Sequence, residues 1–204
     1  SLVHTEYHGW EHNNCNKGKA QGFPSDMNCW WNSINLAKST DKGYTFTHAP
    51  APNNNIANIG INYDSNNISG AMGLLQPSNI LKKDGYYYAT LDSILLGNHR
   101  VCIMRTNNLD DPNSWRFWNG TDFSLSPKNI TPTNNCAGIN TFSFDIQWST
   151  YLNRYTSVGT WGNSIWTGAT LTSWDQGKDI AKAETDDNLM QVYSTLLQPG
   201  AETR

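Results

Sequence analysis

Three stretches of this chain end an apolar run in a short polar turn and then an aromatic or apolar anchor, and they recur at one interval. They are residues 36–46, residues 103–109 running on to Ser114 and Trp115, and residues 169–180. Ser39, Thr106 and Ser173 stand 67 residues apart at each step. A fixed period means that one supersecondary unit is used repeatedly, each copy packing on the next. That narrows the fold more than any single motif does.

The residues upstream of each turn read as strands of the same unit. In the second unit 79–81 leads through Lys82, Lys83, Asp84 and Gly85 into 86–91, with Asp-Gly as the hairpin signal, and a third strand follows at 100–106. The third unit repeats this with 142–148, a turn around Tyr151, Leu152 and Asn153, then 154–160 and 165–172. Only 187–197 carries any helical periodicity. Repeated antiparallel units of three or four strands describe β-propeller blades, so the expected class is all-β. A two-sheet sandwich explains the strands but not the equal pitch.

Blade limits are expected near 1–60, 61–130 and 131–190, with 191–204 beginning a further blade. A closed ring normally takes at least about four blades. The chain is therefore expected to be partial, and to meet further blade material from the rest of its gene product or from a second copy. Ile80, Leu81, Phe142, Phe144 and Ile146 would otherwise lie on open, apolar strands.

Only 15% of residues are charged and the net charge is -3, which gives no footprint for nucleic acid or an anionic membrane. No apolar run is long enough to span a bilayer. Nine Trp and nine Tyr, with abundant Asn, suit short strands and turns. They suit sugar binding equally, because aromatic faces stack on pyranose rings while amides match hydroxyls. None of the four cysteines forms C-x-x-C, which argues against a zinc ribbon. An even count in a weakly charged chain predicts disulfides in a secreted protein, extracellular or periplasmic, with Cys15 to Cys29 the favoured pairing.

Residues 39–46, Ser-Thr-Asp-Lys-Gly-Tyr-Thr-Phe, resemble the Asp-box of sialidases and other propeller proteins, with Phe in place of the usual Trp; Ser173 to Gly177 is a weaker copy. Residues 77–88 and 105–115 resemble blades of the five-bladed glycoside-hydrolase propellers, the arabinanase and β-xylosidase group. The resemblance covers most of residues 30–180 and implies about three blades of a five-bladed ring acting on a glycan. No cofactor is expected.

Reactive groups are densest at the start, where three of the five histidines fall within nine residues: His4, Glu6, Tyr7, His8, Glu11 and His12. On a strand, His4, Glu6 and His8 share one face. Flanking histidines would tune Glu6 as acid or base. The same three side chains would alternatively hold a divalent metal, or form a polar row without a ligand. Counting back along the aligned strands places Asn79 and Asp145 at matching positions in consecutive blades, and Glu6 with Asp145 would supply the carboxyl pair that sugar hydrolysis needs. The resembled enzymes use three acids from successive blades, and Asn79 departs from that pattern. Arg105 is expected to bind a carboxylate or hydroxyl cluster, and Trp30 and Asn32 to form part of a sugar platform. Three functions remain open: a glycoside hydrolase, a lyase using His4, His8 and Tyr7, or a sugar-binding or structural propeller without activity.

Overall fold

A computed structural model of the chain describes residues 1–17, 28–66, 70–141, 145–158 and 164–179. Among these the structure is all-β, with a single 3-10 turn at Gly9–His12. The first sheet contains β1 (Leu2–His8), β2 (Trp30–Leu36), β3 (Asn55–Ala57), β4 (Ala71–Leu75), β5 (Leu81–Lys83), β6 (Tyr86–Leu95), β7 (Asn98–Thr106), β8 (Arg116–Trp118) and β9 (Phe123–Leu125). Its order is β1-β2-β4-β6-β7-β8-β9, with β3 on β2 and β5 on β6. The second sheet contains β10 (Ile146–Ser149), β11 (Arg154–Val158), β12 (Ser164–Thr170) and β13 (Ser173–Trp174) in that order, with β14 (Lys178–Asp179) on β12.

The expected limit between first and second blades, near residue 60, falls inside one continuous sheet. The join is a parallel pairing of β2 with β4, in which Trp30, Trp31 and Asn32 lie opposite Ala71, Met72 and Gly73. Glycine is what permits it. Gly73 has φ +123, and a Cβ there would stand 2.1 Å from the carbonyl oxygen of Asn32. The described chain thus forms two hydrogen-bonded sheets where the repeat predicts three units, and no ring closure is seen among the described residues.

Local chemistry explains the hairpins. Asp84 (φ 49) and Gly85 (φ 79) join β5 to β6, as the sequence predicts, and Leu96 (φ 49) and Gly97 (φ 79) join β6 to β7. Two central residues with positive φ match the right-handed twist of the flanking strands. Strands β6 and β7 bury both faces. Ala89, Leu91, Cys102 and Met104 join a core with Ile34, Leu74, Trp115 and Phe117. Tyr88, Val101 and Ile103 join a second core with Ile146, Tyr155 and Trp174 of the other sheet. Each fully buried side chain of this size stabilises by about 1.5–3 kcal/mol.

Two disulfides are present, Cys15–Cys29 as expected and Cys102–Cys136. They fit an oxidising compartment. Among the described residues no helix is long and apolar enough to cross a membrane.

The polar turn at 39–46 is organised by Asp41. Its carboxylate accepts from the Thr45 hydroxyl (2.6 Å), the Thr45 amide (2.9 Å) and the Ser39 hydroxyl (2.7 Å). Those bonds, the Thr45 hydroxyl's above all, hold its pKa down at about 2. Lys42 and Gly43 take positive φ at the apex. The other two segments differ from this turn. Thr106 closes β7, whereas Ser173 opens β13 after a turn at Leu171 and Thr172. The 67-residue pitch therefore does not mark one structural position three times. Phe142, Phe144, the end of the strand expected at 154–160, and all of 180–204 lie outside the described residues.

Candidate functional site

Alternation along β1 places His4, Glu6 and His8 on one face, opposite Ile34, Asn32 and Trp30 of β2. The expected row is therefore present, and its side chains touch. Glu6 lies between the two rings, with Oε1 3.1 Å from His4 Nδ1 and Oε2 3.0 Å from His8 Nε2. Asn32, expected as a sugar contact, extends the row inward. Its Oδ1 is 2.8 Å from His4 Nε2, while its Nδ2 donates to the carbonyls of Trp30 and Met72, at 3.2 Å each. Glu11 on the 3-10 turn extends the row outward, its Oε1 3.5 Å from His8 Nδ1. The result is a line of five side chains running from buried Asn32 to exposed Glu11.

The amide orientation of Asn32 fixes the protons. Both hydrogens of its Nδ2 go to backbone carbonyls, so Oδ1 must accept, and His4 Nε2 must donate. His4 Nδ1 then faces a carboxyl oxygen. Glu6 Oε1 lies 3.1 Å from that nitrogen, and the Glu6 side chain stays 38% exposed. Aromatic rings flank the outer end, where His8 stacks on Trp10 (5.4 Å between centroids) and meets Trp30 edge-on (5.3 Å). Cys15–Cys29 supports this end, and the amide of Gly9 donates to the carbonyl of Cys29 at 3.0 Å.

Tyr7 lies on the opposite face of β1, stacked on His12 and edge-on to Tyr63, with its hydroxyl accepting from Asn14 Nδ2. It is not beside His4 and His8, because neighbouring strand residues point to opposite faces. Asn79 is engaged in the backbone of the second sheet. Its Nδ2 donates to the carbonyl of Ile146 and its Oδ1 accepts from the Ile146 amide, both at 2.9 Å. Asp145, the residue before, is buried there. Asn79, expected at a position matching Asp145 in the next blade, instead bonds the backbone of Ile146 at a join between sheets, while Glu6 lies on β1 at the edge of the first sheet. Arg105 has its guanidinium stacked over the rings of Tyr86 (4.1 Å) and Phe123 (4.4 Å), tying β7 to β6 and β9. Among the described residues no group of three or more His, Cys, Asp or Glu is placed to hold a metal ion. The row is a line and not a cage.

The sequence reading missed a second polar cluster. A cavity of about 520 Å3 opens between the hairpin end of β6–β7 and β12, lined in part by Gln76, Asp92, His99, Arg100, Thr141 and Trp166. Asp92 Oδ1 is 3.2 Å from His99 Nε2, and that hydrogen bond raises the histidine pKa. Gln76 holds φ +51 without being glycine. The only local signal for this cluster is a polar residue, Asp92, inside the apolar strand β6.

The chain matches no protein-family model, no curated protein and no solved structure.

Proposed function

We propose that this chain is part of a secreted, carbohydrate-active protein of the propeller type, glycoside-hydrolase-like, which meets its glycan at the β1 row. One observation carries the reading: the half-exposed Glu6 carboxyl lies between the His4 and His8 rings, beside the Trp10 and Trp30 indoles. In this reading Glu6 transfers a proton at the glycosidic oxygen, His4 and His8 hold its carboxyl in place, and the indoles stack on sugar rings. Hydrolysis needs a second carboxyl group. Glu11, across His8, stands nearer to this role than Asp145, which is buried beside the Asn79 join. The Asp41 turn and the antiparallel hairpins of both sheets support the Asp-box and blade reading, while the parallel pairing of β2 with β4 is outside it. Ring completion by further blade material belongs to the same proposal.

A second reading, sugar binding without turnover, is favoured by one fact: both Glu6 oxygens already face imidazole nitrogens. The lyase variant loses its support with Tyr7 on the other face. Screening the purified chain on a glycan panel for release of reducing ends separates the readings. For a hydrolase, Glu6→Gln lowers turnover roughly a hundredfold or more with thermal unfolding nearly unchanged. Binding without turnover, lost in the same variant, supports the second reading. Intact activity and binding with a large loss of stability would make the row structural.

A further inference from the structure

The cavity between β6–β7 and β12 differs from the β1 row in having polar groups left over. Thr141 is 6% exposed, and its hydroxyl is buried without a hydrogen-bond partner among the described residues. Arg100 uses Nη1 to donate to the carbonyl of Cys136 (3.1 Å) and has no carboxylate partner among the described residues. Asp92, the one carboxylate among the described lining residues, is paired with His99 and not with Arg100. One wall is the Trp166 ring, set by Gly177, where a Cβ would stand 2.4 Å from the indole. Gln76, held at positive φ, borders the same space. An arginine without a carboxylate partner among the described residues, beside an indole wall in a concave space, describes a site for a sugar ring bearing a carboxylate.

We propose that this cavity is a separate binding site for a uronic-acid unit of a glycan, with the carboxylate at Arg100 and the sugar ring against Trp166. The site shares no residue with the β1 row and does not rest on the function proposed there. The volume, about 520 Å3, lies in the range of small-ligand pockets and exceeds what one sugar needs, so a short acidic oligosaccharide fits.

Calorimetric titration of the intact chain tests this with three probes: trigalacturonate, its fully methyl-esterified form, and acetate. The acid binds, the ester binds roughly tenfold more weakly or worse, and acetate gives no measurable heat. Arg100→Gln removes the preference for acid over ester. Trp166→Ala, which removes the ring wall, weakens both, and Glu6→Gln alters neither at this site. Equal binding of acid and ester overturns the proposal, as does no binding of trigalacturonate. Wild-type affinity retained in both Arg100→Gln and Trp166→Ala overturns it too.

Discussion

The β1 row and the cavity beside β12 are both polar clusters on a β framework, yet they are assembled in opposite ways. The row is made by one strand: alternation alone aligns His4, Glu6 and His8, and each finds a partner within the set. The cavity is made by tertiary packing, drawing on residues from Gln76 to Trp166, and it leaves the Thr141 hydroxyl unsatisfied. The row's side chains pair with one another, whereas Arg100 in the cavity has no carboxylate partner among the described residues. Each has its own disulfide. Cys15–Cys29 ties the segment after the 3-10 turn to the start of β2, and Cys102–Cys136 pins the strand-side segment leading to Thr141 against β7.

The largest expected effect comes from separating the regions by their disulfides. Replacing Cys102 and Cys136 by Ala opens a loop with separation 34 and costs about 3 to 4 kcal/mol, read from urea unfolding. Replacing Cys15 and Cys29 opens one with separation 14 and costs about 3 kcal/mol. The informative result is local. The first pair of substitutions abolishes uronate binding and spares the β1 row; the second disturbs Trp10 and Glu11 and spares the cavity. If either variant damages both regions equally, the two are not independent.

A smaller effect sharpens the comparison through pH. The bond to Asp92 raises the pKa of His99 above its ordinary value of 6.5. Arg100 is the other charged group at the cavity. A raised histidine contributes stability that is fully present below the unfolded pKa and is lost as pH rises through the folded one. Wild type should therefore exceed His99→Gln in stability by more at about pH 5.5 than at about pH 8.5. The side chain is 57% exposed, so the difference stays below about 1 kcal/mol. Chemical unfolding at both pH values checks the sign; a gap that widens with rising pH contradicts the Asp92–His99 pairing.

The same contrast explains what was legible in the sequence. Local rules work where structure is local. The Asp84-Gly85 hairpin, the face shared by His4, Glu6 and His8, and the Cys15–Cys29 pairing each depend on residues close along the chain, and each is present. The strand β4 escaped notice, although all five of its residues are buried, because a uniform apolar run shows no alternation. Its parallel pairing with β2 depends on Gly73 tolerating contact with Asn32, a fact of tertiary approach. The same is true of Asn79, which reads as the counterpart of Asp145 in the preceding blade and serves as a backbone mimic for Ile146. The repeat misled most at Ser173, where equal spacing concealed a strand start in place of a turn.

The account's central claim is that the β1 row receives a glycan. Nitrogen-15 labelled protein, titrated with the best-binding neutral oligosaccharide from the panel, tests it most directly by amide chemical-shift perturbation. The account predicts saturable shifts concentrated at Leu2–His8, the Gly9–His12 turn and Trp30–Leu36, lost in Glu6→Gln. Saturable shifts confined to other regions, or unchanged in Glu6→Gln, would contradict it.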